Sequence, residues 1–184
     1  MEGGTEIFNL PNNLSVGGDI DLSYSWIQEL PHDLKVGGSI NLSGSDIVRL
    51  PDNLTVNGDL DLSNTQISHL PDNLTVNGDL DLSITPITKI PNTLKVSGKL
   101  DLEQSWIEEL PKGLNIGGDL NLRATPIKEL PDGLTVGGDL KLQSASINKL
   151  PDDLKVGGRL FLKYTNVDVK GLPESLDVAG DVII

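Results

Sequence analysis

The chain has 184 residues, a formal net charge of −13 and no cysteine, which excludes disulfide staples and thiolate chemistry. Its acidic balance argues against direct nucleic-acid binding, because that affinity comes from neutralising phosphates. No apolar run approaches the roughly 18 residues needed to span a bilayer, and Met1 to Leu10 lacks the basic and apolar blocks of a cleavable leader. The expected location is therefore the cytoplasm, with no membrane contact.

From the amino terminus, Thr5, Ile7 and Leu10 fit the second half of a unit that then recurs every 20 residues, from Leu10-Pro11 to Leu150-Pro151. Residues 1–10 read as a partial first coil. Counting each coil from its proline, so that Pro51 is position 1, puts apolar residues at positions 4, 6, 10, 12, 17 and 20; in that coil they are Leu54, Val56, Leu60, Leu62, Ile67 and Leu70. Self-similarity at such a period signals a solenoid, whose units cannot bury an apolar face alone and must stack. The expected fold is one solenoid domain over residues 1–184, rich in β-structure, with roughly nine coils and little or no α-helix.

Within a coil, the strict alternation from position 4 to position 12 predicts a strand with one face buried, its main part at positions 8 to 12. Position 8 is glycine (Gly58 in this coil), which permits a bend or a close approach of another backbone. Ser, Thr, Asn and Pro then dominate, and position 15 is Ser or Thr almost throughout, Ala145 excepted, as support for a turn. Pro86, Pro126 and the prolines at position 1 oppose helix, so extended chain or short 3₁₀ turns are expected there. Between Val167 and Leu172 lie four residues where other coils have two. That predicts a bulged turn at Asp168–Gly171 in an irregular last coil, 168–184.

Positions 10 to 20 read Leu-x-Leu-x-x-Thr-x-Ile-x-x-Leu, as in Leu60, Leu62, Thr65, Ile67 and Leu70. This resembles the core motif of leucine-rich repeat proteins, and is similar to the short, Leu-Pro-containing class of bacterial effectors and phage-encoded proteins. The resemblance runs from about Thr5 to Ile184. It implies a right-handed coil with one parallel β-sheet whose exposed face grips protein partners. Two departures stand out. Ser or Thr replaces the Asn that bonds neighbouring coils in the family, so a hydroxyl ladder is expected to do that job. A Val-x-Gly segment precedes the strand, which leaves a straighter β-solenoid as the alternative to a horseshoe.

With positions 10 and 12 inward, positions 9, 11 and 13 face out. Residues 1–92 carry 3 basic and 13 acidic side chains, whereas 93–184 carry 11 and 14, so the face grades from acidic to mixed. Asp59, Asp61, Asp79, Asp81 and Asp101 form its densest patch, with Asp19 and Asp21 nearer the start. Stacked like charges repel, and a field of one sign attracts a partner of the other. These seven aspartates are the expected docking residues for a protein with a basic surface, supplemented by Tyr24, Trp26 and Trp106 on the turns. Phe161, Val182, Ile183 and Ile184 form an apolar carboxyl-terminal edge suited to self-association.

Catalysis has no footing. His32 and His69 occupy different turn positions, and no P-loop, zinc spacing, nucleophile elbow or dinucleotide fingerprint is present. No metal or other cofactor is expected: Gly-Gly-Asp-Leu-Asp-Leu lacks the nonapeptide period of calcium β-rolls. The expected function is a non-enzymatic protein-interaction scaffold. Alternatives are an acidic nucleic-acid mimic that occupies a nucleic-acid-binding protein, and a structural surface array.

Overall fold

Residues 8–173 and 175–184 are described by a computed structural model. They form a parallel β-solenoid in which each coil contributes two strands of two residues, one at positions 5 and 6 and one at positions 10 and 11. In the coil that begins at Pro51 these are Thr55–Val56 and Leu60–Asp61. The second set stacks into a nine-stranded sheet from Ile20–Asp21 to Val182–Ile183, every neighbour in a register of one repeat except across the insertion in the last coil. The first set forms a second wall, split into segments of two, three and four strands. Bridges at position 19 (Glu29 to Arg49, Lys89 to Glu109, Glu129 to Lys149) add a third line of contact.

The unbroken apolar alternation suggests one strand, yet the backbone bends at positions 7 to 9 and divides it in two. Hydrogen bonds run in opposite directions on the two walls. Leu60 and Leu62 donate forward to the carbonyls of Asp79 and Asp81, both at 2.9 Å, while Thr75 and Asn77 donate back to Leu54 and Val56, both at 3.0 Å. Each coil is thus tied to both neighbours without a helix. One turn of 3₁₀ helix, Val169–Gly171, takes up the insertion where a bulge is expected, capped by Asp168 accepting from the Lys170 N–H at 3.0 Å. No helix among the described residues is long and apolar enough to cross a membrane.

The core is a set of aliphatic ladders: Val56, Leu60, Leu62 and Ile67 are fully buried, as are Val76, Leu80, Leu82 and Ile87 in the next coil, and the ladders loosen at the carboxyl-terminal end, where Val167 is half-buried and Val182 and Ile184 are exposed. Burial of this kind stabilises by roughly 1.5–3 kcal/mol per side chain. Position 8 shows why glycine recurs. A Cβ on Gly78 would press on the Asp59 carboxylate and lie 2.7 Å from the carbonyl carbon of Gly58, whereas Gly18 in the first coil has nothing within 4 Å.

Position 15 departs from the expected hydroxyl ladder between coils. Thr65 Oγ1 donates to the Leu62 carbonyl of its own coil at 2.7 Å, and Ser25, Ser45, Thr85, Ser105, Thr125 and Thr165 repeat that bond. The hydroxyl closes the turn three residues back because position 14 is left-handed, with φ of 55° at Asn64 and 56° at Ile84. That twist aims the position 15 side chain inward at its own strand end, which is the turn-supporting role its position suggests.

Candidate functional site

The exposed side of the nine-stranded sheet carries positions 9, 11 and 13. At position 9, one carboxylate oxygen is committed to the backbone: Asp59 Oδ1 accepts from the Asp79 N–H at 2.8 Å, and Asp79 Oδ1 from the Lys99 N–H at 2.7 Å. Asp19, Asp119 and Asp139 make the same bond one coil forward, and Ser39 makes it with its hydroxyl. The side-chain ladder between coils therefore exists, but it runs through position 9. At position 11 the aspartates turn the chain out of the strand, Asp61 Oδ1 accepting from the Ser63 N–H at 2.9 Å and Asp81 Oδ1 from Ser83 at 2.8 Å. Asp21, Asn41, Asp101 and Asn121 do likewise. These Asx turns end the strand and start the bend toward position 15. The recurrence of small acceptors (Asp, Asn or Ser) at both positions is the signal for this structural role, and reading the aspartates as charge alone misses it.

The second oxygen is left over, and its fate differs along the sheet. From Lys99 onward it meets cations. Lys99 Nζ lies 2.6 Å from Asp101 Oδ2, Lys141 Nζ 2.9 Å from Asp119 Oδ2, Arg159 Nη2 2.7 Å from Asp139 Oδ2, and Arg123 Nη1 3.4 Å from Glu103 Oε1. In the earlier coils, among the described residues, no Lys or Arg side-chain nitrogen lies within 4.0 Å of Asp19, Asp21, Asp59, Asp61, Asp79 or Asp81.

Titration follows each side chain's own burial and bonds. Burial pushes the Asp81 carboxyl up, partly opposed by the Ser83 bonds and reinforced by the charges of Asp101 and Asp61 stacked on either side. Burial also pushes Asp119 up, but bonds from Lys141 and the Asp139 N–H, with the Lys141 charge, outweigh it and hold the carboxyl below its ordinary value. Asp139 is lowered by its bonds from Arg159, and exposed Asp21 by its bonds from Ser23. Burial lowers the Lys99 ammonium, and the bond and charge of Asp101 reverse that to leave it raised.

Of the seven aspartates singled out by sequence, Asp59, Asp61, Asp79 and Asp81 come together as one patch without an ion pair among the described residues, with the Lys99 charge at its far edge. Asp19 and Asp21 are separated from it by Ser39 and Asn41 in the register. Asp101, 7% exposed, is neutralised by Lys99 and accepts a further bond from Asn121 Nδ2 at 3.1 Å. The turn aromatics do not form one site. Trp26 packs edge-on against Phe8 at 5.6 Å, a residue the pattern does not single out, while the Tyr24 ring lies over Gly44 and Trp106 stands exposed four coils on.

At the carboxyl-terminal edge, Phe161 is half-buried with Arg159 5.0 Å from its ring centre, and Ile183 is registered on it. Val182 pairs with Leu160, and Ile184 is exposed. His32 lines an open groove of about 550 Å³ with Lys35 and Asn57 where the second wall is split, and His69 bonds Ser68 on another turn. Among the described residues no cluster of His, Asp and Glu is arranged to hold a metal ion. No protein-family model and no curated protein matches the chain.

Proposed function

We propose that the protein is a non-enzymatic interaction scaffold of leucine-rich-repeat type, which binds a protein partner with a basic surface across the coils that carry Asp59, Asp61, Asp79 and Asp81. One observation carries this reading. The same sheet positions are self-neutralised in the later coils and left as bare carboxylates in the earlier ones, although the backbone needs only one oxygen of each side chain. Rows of unpaired like charge at the spacing of sheet neighbours are unfavourable within the protein. They become favourable when an opposite charge docks, and they speed its encounter.

The test is affinity capture from a bacterial lysate with the intact chain, a D59N/D61N/D79N/D81N variant, and a D119N/D139N variant as control. The expected result is a partner held by the native and control proteins and lost by the fourfold variant, with capture weakening as salt rises. A partner held equally by all three would remove the acidic face from the site. A captured protein whose own ligand is nucleic acid would identify the scaffold as an acidic mimic.

A further inference from the structure

Beside the acidic face, positions 14 and 16 project from the turn on either side of the buried position 15. In three coils they are small or polar (Gly44 and Asp46, Asn64 and Gln66, Ser144 and Ser146), and aromatic residues stand toward the two ends, Tyr24 with Trp26 and Tyr164 with Asn166. Over three consecutive coils they become Ile84 and Pro86, then Gln104 and Trp106, then Ala124 and Pro126. Trp106 is 64% exposed and Ile84 53%, while Pro86 is half-buried and Pro126 exposed. The turns below are fixed by the buried hydroxyls of Thr85, Ser105 and Thr125, and the Trp106 N–H donates to the Thr85 carbonyl at 3.2 Å. Coils about 4.8 Å apart put Pro86 and Pro126 on the two sides of Trp106, forming an apolar shelf stiffened by proline.

Ile84 shows that the shelf is not a by-product of turn chemistry. Its φ of 56° is a conformation that suits Asn or Gly and is unfavourable for a β-branched residue. The preceding coil uses Asn64 at φ 55° for the same turn. A strained, exposed isoleucine points to a role outside the fold.

We infer that this shelf of Ile84, Pro86, Trp106 and Pro126 anchors a large apolar side chain of the partner, so that the recognised segment is a basic peptide stretch with a hydrophobic anchor. The inference rests on the proposed acidic docking face and specifies its partner. Ile84 directly follows Ser83, at the edge of the Asp61–Asp81 row, and exposed Glu108 lies two residues beyond Trp106. An apolar centre rimmed by carboxylates complements cations around an apolar residue, the usual build of a binding hot spot. The same charge repels an anionic membrane surface and the acidic amino-terminal half of a second copy.

Selection of a random displayed dodecapeptide library on the intact chain tests this directly. The expected winners combine Lys or Arg with a large aliphatic or aromatic residue. Trp106→Ser and Ile84→Asn are expected to weaken them by roughly tenfold or more, while Tyr164→Ser, at an exposed turn aromatic outside the shelf, leaves them unchanged. Basic winners that bind Trp106→Ser as tightly as the native chain would refute the shelf and leave the acidic face standing. Winners insensitive to the fourfold Asp→Asn variant but lost on Trp106→Ser would refute the acidic face instead. Winners insensitive to both variants, or none at all, would sink both. Circular dichroism of each variant confirms that loss of binding is not loss of fold.

Discussion

Asp59 and Asp119 are the same residue at the same position of the same sheet, three coils apart. Each gives Oδ1 to a backbone N–H of the next coil at 2.8 Å. Asp119 gives its other oxygen to Lys141 at 2.9 Å, whereas no cation reaches that of Asp59 among the described residues. The pair separates two demands that share one side chain: the fold needs a single acceptor, and everything that differs between the two regions lies in the second oxygen. Charge on this sheet can therefore change along the stack without altering the backbone beneath it.

If the two regions share their backbone, glycine substitutions in either should cost the same. A Cβ on Gly78 would stand 2.7 Å from the Gly58 carbonyl carbon, and one on Gly138 would stand 2.9 Å from that of Gly118. Gly78→Ala and Gly138→Ala are each expected to destabilise by about 1–3 kcal/mol through overpacking. Gly18→Ala, with open space around it, should be close to neutral. Urea midpoints of the three variants check this, and a large difference between Gly78→Ala and Gly138→Ala would mean that the coils are not equivalent.

The next effect dissects the aspartate itself. Asp59→Ala and Asp119→Ala both orphan a backbone amide and should each cost about 1–2 kcal/mol. Asn keeps the acceptor, so Asp59→Asn should be neutral or slightly stabilising as repulsion falls. Asp119→Asn should lose up to about 1 kcal/mol along with its partly exposed ion pair. Thermal midpoints that put Asp59→Asn as low as Asp59→Ala would show that the charge, and not the acceptor, holds the coils together.

The same separation extends to the turn. Ile84→Asn places at φ 56° a residue that tolerates it, and should gain about 1 kcal/mol, or about 3 °C for a chain of this size. Asn64→Ile should lose a similar amount. A neutral Ile84→Asn would mean that the exposed isoleucine makes contacts within the fold that offset its backbone strain.

Much of this architecture is legible in the residues. The 20-residue period, the inward ladders of Leu60, Leu62 and Ile67, and the glycine at the closest coil approach follow from apolar spacing and the absence of a Cβ. The division into two walls is not legible, because Val56 and Leu60 keep the same alternation across a bend as they would along one strand. Nor is the direction of the Thr65 hydroxyl, which depends on the left-handed residue before it. At the site, the clustering of Asp59, Asp61, Asp79 and Asp81 is readable as charge. Their backbone bonds are not, and the removal of Asp101 from the patch depends on Lys99, two residues before it, reaching forward along the strand. The shelf at Ile84 and Trp106 requires knowing that positions 14 and 16 share one corner in successive coils.

The smallest expected effect is in pH, and it has opposite signs at Asp81 and Asp119. The Asp81 carboxyl is raised, chiefly by burial, so the folded chain holds a proton at pH values where the unfolded chain, with an ordinary value of about 3.9, has released it. The native state then binds more protons, and stability falls as pH rises through the raised value. For Asp119, burial is outweighed by Lys141 and the Asp139 N–H, and the carboxyl is lowered. Its contribution is present above the ordinary value and is lost as pH falls through the depressed one. Asp81→Asn should therefore be more stable than the native chain at pH 7, with the gap closing on acidification toward the ordinary carboxylate range. Asp119→Asn should be less stable at pH 7, and its deficit should persist into that range before closing. Urea midpoints of both variants against pH give the two difference curves, and curves of the same sign would mean that the bare and the paired aspartates are electrostatically alike.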